Sequence, residues 1–468
     1  MNKKCQIFTP SDYVERLLDS VEYKHNLYGK KIMENSCGDG NILAVVVQRY
    51  IDDCIEQGIS KTRIKSGLSR DIYGVEIDPE QYKKCIETLD CVAQKNHIKS
   101  VAWNIINDDY LRSPSSQRYD YVVGNPPYIT YRELDESEQD YLKKNFSSCK
   151  KGKFDYCYAF LEKSIESLLP NGKMAYLIPS SVYKTVFGET IRNIMRPLTK
   201  EIIDYTNAKL FRNALVKSSI IVIDKSVSEK SIHYIDDTTG AECTILRDSL
   251  GYKWNFGGTE EGERRFGDYF KVSHAVATLC NKAFVIKDWQ VQTDESVTSG
   301  EYSLESAVVR DAASPKNIRF NTTEKIIFPY RYNDKNQLIK YSEEQFVQRF
   351  PETYRYLLQY KEDLEKRDSD MAAQWFEYGR SQALNNINEE KALISTIISS
   401  EVLVYKLNRT TIPYAGMYIT VVSDEMSIDE GIAILQTTNF LKYVRNIGIP
   451  INGNSVRITS KDIEDYLF

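Results

Sequence analysis

Asn125-Pro126-Pro127-Tyr128 follows a β-rich run, Tyr119–Gly124, and these residue types in this order suit one piece of chemistry. An exocyclic amine on a purine ring is a poor nucleophile, because its lone pair is delocalised into the ring. Two acceptors on one side of the amine draw both N–H groups out of plane and return the lone pair to nitrogen. The side-chain carbonyl of Asn125 can supply one acceptor and the backbone carbonyl of Pro126 the other. Proline fixes φ and brings no competing N–H. Tyr128 offers a flat face on which a base can stack. The plain alternative is a proline-rich turn that ends a strand.

Three further clusters close other apolar runs. Glu34-Asn35-Ser36-Cys37-Gly38-Asp39-Gly40 precedes a long helical pattern; its glycines let a ligand approach the backbone closely. Leu43 stands where a dinucleotide fingerprint wants a third glycine, which disfavours a nicotinamide cofactor. Gly74-Val75-Glu76-Ile77-Asp78-Pro79 carries an acid able to hold the two hydroxyls of a ribose. Asn107-Asp108-Asp109-Tyr110 carries one able to accept from an adenine amine. Singly, each is an ordinary turn.

Their placement is what makes them informative. β-like runs fall at Lys31–Glu34, Ile72–Ile77, Val101–Ile106, Tyr119–Asn125, Lys173–Pro179, Ile202–Asn207 and Ser219–Asp224. Helical patterns lie between them; Ile42–Ile55 repeats apolar residues at helical spacing, and Tyr156–Leu169 does the same. Such alternation implies a parallel α/β sheet. Only Ala208–Ser218 separates the last two runs, too little for a helical crossover, so they are expected to form an antiparallel hairpin. The fold expected is α/β: a Rossmann-like seven-stranded sheet with a reversed C-terminal hairpin. The four clusters then sit at the carboxyl ends of consecutive parallel strands, where open α/β sheets bind ligands. A glycine loop, a ribose acid, an adenine acid and an amine-activating tetrapeptide together describe an S-adenosylmethionine site facing an amine.

Composition narrows the class. The chain has 468 residues, enough for at least two domains, and 42% hydrophobic with 27% charged residues is an ordinary globular balance. No apolar run approaches the length of a membrane span, and no signal peptide is read at the N-terminus. Nine cysteines without a CxxC pair, and four histidines, predict reduced thiols and no metal site. A cytoplasmic protein is expected. The net charge of −5 gives no general affinity for nucleic acid, but says little about one groove.

The order Gln6-Ile7-Phe8-Thr9-Pro10, then Gly38-Asp39-Gly40, Gly74–Pro79, Asp108-Asp109-Tyr110-Leu111 and Asn125–Tyr128 resembles the gamma-type adenine amino-methyltransferases of type II restriction–modification systems. The resemblance implies a site-specific DNA methyltransferase that moves a methyl group from S-adenosylmethionine to the exocyclic amine of a flipped adenine in duplex DNA. It implies Asn125, Pro126, Pro127 and Tyr128 as catalytic residues, with Tyr128 and Phe211 stacking on the target base. It implies Thr9, Glu34, Asn35, Cys37, Gly38, Gly40, Glu76, Ile77, Asp109, Tyr110 and Asn125 around the cofactor. The family usually has proline where this chain has Asn35. Partners implied are duplex DNA and a separate restriction endonuclease, with no membrane and no metal. The motifs begin at Gln6, so no N-terminal nuclease domain is expected.

Lys150, Lys151 and Lys153 lie in an acid-free basic stretch that suits phosphate. Ser60–Asp71 reads as a basic polar loop. Domains are expected at 1–230 for methyl transfer, 231–265 as a connecting segment and 266–468 as a mixed α+β target-recognition domain. In the last, Pro329–Tyr332 and Trp375–Gln382 mix aromatic and polar residues, making Arg331, Trp375, Arg380 and Gln382 candidates for DNA contact. Two other readings stay open: an amine or amide methyltransferase acting on RNA or protein, and a non-catalytic DNA-binding subunit with a methylase-like fold.

Overall fold

The structure, a computed structural model, describes residues 10–114, 117–205, 217–257, 262–293, 296–451 and 455–468. It divides into two compact units, Met1–Gly258 and Thr259–Phe468. In the first, strands β1 (Ile32–Glu34), β2 (Ile72–Glu76), β3 (Asn104–Asn107), β4 (Tyr119–Gly124), β5 (Leu168–Pro179), β6 (Thr199–Asp204), β7 (Ser218–Asp224), β8 (Ser231–Asp236) and β9 (Ala241–Leu246) form one sheet. Their order is β3-β2-β1-β4-β5-β7-β6-β8-β9.

The first seven strands match the seven runs read from the sequence, within a few residues at their ends. β1 to β5 run parallel, and β7 is antiparallel to both β5 and β6. The hairpin is therefore present, but its reversed strand lies inside the sheet rather than at its end. The sheet is also larger than expected. β8 pairs parallel with β6, and β9 antiparallel with β8. The segment 231–265, expected as a connector, thus begins with two strands of the first sheet.

Side chains alternate across this sheet with period two. Ile32, Val123, Ala175, Leu177, Ile220 and Val222 face one core; Met33, Val122, Met174, Tyr176, Ile221 and Ile223 face the other. Helices α1 (Ser11–Ser20), α2 (Asn41–Glu56), α3 (Lys61–Asp71) and α4 (Pro79–Lys95) line the first face. Helices α5 (Glu136–Asn145), α6 (Cys157–Ser167) and α7 (Glu189–Met195) line the second. α3 replaces the loop expected at Ser60–Asp71. It is mostly polar and seats only Ile64, Gly67, Leu68 and Asp71, where Arg70 and Tyr50 hold the buried Asp71 carboxylate.

The second unit is mixed α+β. A four-stranded sheet orders Phe270–His274, Met417–Val421, Lys391–Ile394 and Val404–Leu407, backed by the helices Ile428–Leu435 and Thr438–Ile447. A second core gathers Phe328, Tyr330, Phe346, Phe376 and Tyr378. Among the described residues no helix is long and apolar enough to cross a membrane, and no group of metal-ligating side chains is found.

Candidate active site

The carboxyl ends of β1, β2, β3 and β4 bring the four clusters together. The loop after β1 is tied to both neighbours. Gly38 N–H donates to Glu76 Oε2 at 2.9 Å, Cys37 N–H to Val75 O at 3.0 Å, and Ser36 Oγ to the backbone carbonyl of Asn125 at 3.2 Å. Ser36 is a residue that sequence reasoning passed over; nothing but its place in the loop could have signalled it.

The two glycines do different work. Gly38 has φ +52°, and a Cβ there would meet none of the described residues within 4 Å. Its open side suits a ligand. Gly40 has φ +85°, and a Cβ would stand 2.9 Å from Cys85 Sγ on α4. Gly40 therefore serves packing and starts α2 behind the loop. Cys37 is buried with Sγ 3.8 Å from Cys85 Sγ, so only its backbone faces the loop.

The side-chain NH2 of Asn35 is engaged within the fold. Its amide is buried and donates to Ser164 Oγ at 2.7 Å and to the Tyr176 hydroxyl. Tyr110 is likewise buried, its ring against Phe160 and its hydroxyl 3.2 Å from Ser164 Oγ. These polar side chains close a hydrogen-bonded group between β5 and α6, because a buried amide or phenol needs a partner. A polar residue in a glycine loop reads as a ligand from sequence; its direction is what the sequence does not carry.

Glu76 is buried and receives an N–H on each carboxylate oxygen: Gly38 on one, Asp78, at 2.8 Å, on the other. Each oxygen keeps a further lone pair for a ribose hydroxyl. Ile77 beside it is exposed, an apolar face for an adenine ring. Asp109 caps its own turn, accepting from Leu111 N–H at 2.9 Å, and pairs with Arg112 at 3.1 Å. Lys163 on α6 holds that turn from beneath through the carbonyls of Tyr110, Leu111 and Ser113. Burial lowers the Lys163 pKa, with Asp109 and Asp108 opposing.

Glu34 ends β1 with 3% exposure, and its Oε2 has no hydrogen-bond partner among the described residues. Burial, with Cys85, Glu76 and Asp39 adding, pushes its carboxyl well above the usual range.

Tyr128 is half-buried, and its hydroxyl donates to Leu177 O on β5 at 3.0 Å. The ring is thus held across the edge of β4 and β5. Tyr156 N–H donates to Ile129 O at 3.0 Å, anchoring the loop that continues from Tyr128 to α6. Asp155 beside it is pushed up to about 6 by burial and by Glu133. Thr9 and Phe211 lie outside the described residues.

Lys150, Lys151 and Lys153 are exposed and make no ion pair among the described residues. In the second unit the four candidates separate. Arg331 and Gln382 are exposed. Arg380 is committed to Asp368 at 2.8 Å and Asp370 at 3.2 Å, and Trp375 donates to Glu343 at 2.8 Å while packing on Tyr354. The last two hold their own domain together.

Residues 39–211 match the family described as Eco57I restriction-modification methylase. The resemblance read in the sequence is borne out at this level. Over 336 residues the chain is 22% identical to the type II restriction enzyme and methyltransferase RM.Eco57I of Escherichia coli, covering 61% of this chain and 33% of that one. It is 29% identical over 205 residues to the modification methylase CviBIII of Paramecium bursaria Chlorella virus NC1A, covering 44% and 45%. The chain thus spans a third to about half the length of these curated relatives. Among solved structures, the Type IIL restriction-modification enzyme MmeI in complex with DNA superposes with a TM-score of 0.63 at 13% identity, over 98% of this chain and 67% of that one. The α/β methyltransferase fold expected from the sequence is the one found.

Proposed function

We propose that this chain methylates the exocyclic amine of adenine in duplex DNA at a specific sequence, using S-adenosylmethionine. The observation that carries the reading is the bond from Ser36 Oγ to Asn125 O, which joins the glycine loop to the Asn-Pro-Pro-Tyr loop in one pocket edge. A site for a methyl donor and a site for an amine are thereby held side by side. The methylase family match supports methyl transfer, and the tetrapeptide supports nitrogen rather than carbon as the acceptor.

The residues present fit the cofactor. Gly38 gives its backbone room, Glu76 offers acceptors to a ribose, Ile77 an apolar face to adenine, and Glu34 an oxygen unpartnered among the described residues. When bound, S-adenosylmethionine supplies an electrophilic methyl group on sulfur. The chain's own part is positioning and polarisation. Asn125 Oδ1 accepts one N–H of the target amine and Pro126 O the other, and Tyr128 supports the ring. The amine gives up one proton after attack, and no covalent bond to the protein is needed. A stacked base is out of reach of such a pocket, so the target nucleotide is extruded.

Single-molecule sequencing of DNA from a host expressing the protein tests this directly. Methyl marks on adenine at one short sequence are expected, and none with Asn125→Ala. Marks on cytosine alone would refute the adenine assignment, and undiminished marks from the variant would refute the amine-polarising role of Asn125.

A further inference from the structure

The loop that leaves the carboxyl end of β5 shows solvent two apolar side chains in succession, Val186 at 40% exposure and Phe187 at 42%. A single exposed apolar residue needs no explanation; an adjacent pair on a fixed loop points to a partner. This loop is fastened from beneath. Arg192 on α7, 1% exposed, donates to Val182 O at 2.7 Å, Thr185 O at 2.9 Å and Tyr252 O at 3.0 Å. The hydroxyl of the buried Tyr158 on α6 bonds to Thr185 Oγ1 at 2.7 Å. The N–H groups of Lys184 and Thr185 both return to Ser181 O at 2.9 Å.

Phe187 also has a neighbour shaped to it. Gly152, in the loop ahead of α6, has φ +69°, and a Cβ there would collide with the Phe187 ring. Glycine lets the ring lie on the backbone of that loop. The residues around the glycine are Lys150, Lys151 and Lys153, all exposed and without an ion pair among the described residues. No acid occurs in 147–154 or in 180–188.

Both loops stand at the edge that carries the amine site. β4 and β5 run parallel, so the loop after Pro179 leaves the sheet beside the one that begins at Asn125. Tyr128 reaches across to β5 through Leu177 O. Thr130 forms a bridge with Asp155, and Tyr156 N–H donates to Ile129 O, which ties the chain just after Gly152 to the chain just after Tyr128. An apolar pair framed by cations thus borders the pocket for the target base. Extruding a nucleotide uncovers the faces of the bases on either side of it. Apolar side chains, phenylalanine among them, occupy such opened steps, and lysines meet the phosphates that flank them.

We propose that Val186 and Phe187 pack into the step vacated by the target nucleotide, while the loop of Lys150, Lys151 and Lys153 holds the flanking phosphates. The proposal rests on the DNA reading above and names the residues that keep the base out of the stack.

The test uses the full chain and a duplex bearing the sequence methylated in the host, with 2-aminopurine in place of the target adenine. Wild type is expected to raise the fluorescence on binding, and Phe187→Ala to raise it several-fold less. A partner base that cannot pair with 2-aminopurine lowers the cost of extrusion, so on that duplex the variant should recover most of the signal. Phe187→Leu should keep most of it on either duplex. Replacing Lys150, Lys151 and Lys153 together by glutamine should weaken binding to both and lower the salt slope by at least about one. Cofactor affinity and thermal unfolding check that the variants are folded. If Phe187→Ala is not, Phe187→Gln covers Gly152 with a polar chain and takes its place. Full fluorescence from the folded variant on the paired duplex overturns the packing role, and so does a loss that the mispaired base leaves unrestored. An unchanged salt slope overturns the phosphate contacts. In each of these cases adenine marks made by wild type still stand, whereas a wild-type protein that methylates no DNA overturns the DNA reading and this proposal with it.

Discussion

Glu76 shows how one side chain can have two duties. Its carboxylate gathers the Gly38 and Asp78 amides, and each oxygen keeps a further lone pair. Glu76→Ala is expected to weaken S-adenosylmethionine binding by roughly 1–3 kcal/mol, the scale of lost charge-assisted hydrogen bonds. Calorimetric titration measures it, and unchanged affinity removes Glu76 from the site. Asp155 makes a different kind of statement. Its proton is held up to about 6, above the ordinary carboxylate value, by burial and by Glu133. The folded state therefore binds that proton more tightly than the unfolded chain. The resulting stabilisation is complete below about pH 4 and is lost as pH rises through about 6. Asp155→Asn is expected to match wild type near pH 4 and to exceed it by on the order of 2 kcal/mol at pH 7.5. Urea unfolding at the two pH values checks both the sign and the window.

At the scale of elements, α6 supports the turn after β3 through Lys163, which reaches three carbonyls at once. Lys163→Met keeps the stem and removes the donors. Cofactor affinity is expected to fall several-fold, with faster amide hydrogen exchange over 108–113 and a smaller change in overall stability. Equal exchange in both proteins would show that the turn holds itself. The first seven strands of the first sheet were legible because most are apolar runs bounded by Gly, Pro, Asn or Asp. α3 was not, since only a few of its eleven residues touch the core and its exposed face reads like a loop. β9 is mostly exposed and offers no apolar alternation, so nothing in its pattern separates it from a connector. Among the site residues, backbone positions were readable and side-chain directions were not. Gly38, Glu76 and Tyr128 stand at the edge as expected, while Asn35, Cys37 and Tyr110 turn inward because partners distant in sequence (Ser164, Tyr176, Cys85) receive them.

For the whole molecule, the cofactor and amine clusters all lie in the first unit, which leaves the choice of DNA sequence to the second as a proposal. Arg331 is exposed, whereas Arg380 is paired with Asp368 and Asp370. Arg331→Ala, if it reads a base, costs about 1–3 kcal/mol on the cognate site and little on random DNA. If it meets phosphate instead, both DNAs lose affinity and the salt slope drops by about one. Arg380→Ala breaks the pairs to Asp368 and Asp370 and is expected to lower the thermal midpoint first, with binding following stability. Competition binding at two salt concentrations, alongside thermal unfolding, distinguishes these outcomes.

The link from Ser36 to Asn125 has a thermodynamic consequence. If the methyl donor and the target amine settle on either side of this hydrogen bond, as proposed, it offers a route by which one ligand influences the other. If an occupied glycine loop tightens the grip on the target by some factor, an occupied amine pocket must tighten the grip on the donor by the same factor. The spent donor, lacking the methyl group, would share most of that advantage. Product release then becomes a joint event, and Ser36→Ala should let the two ligands leave independently.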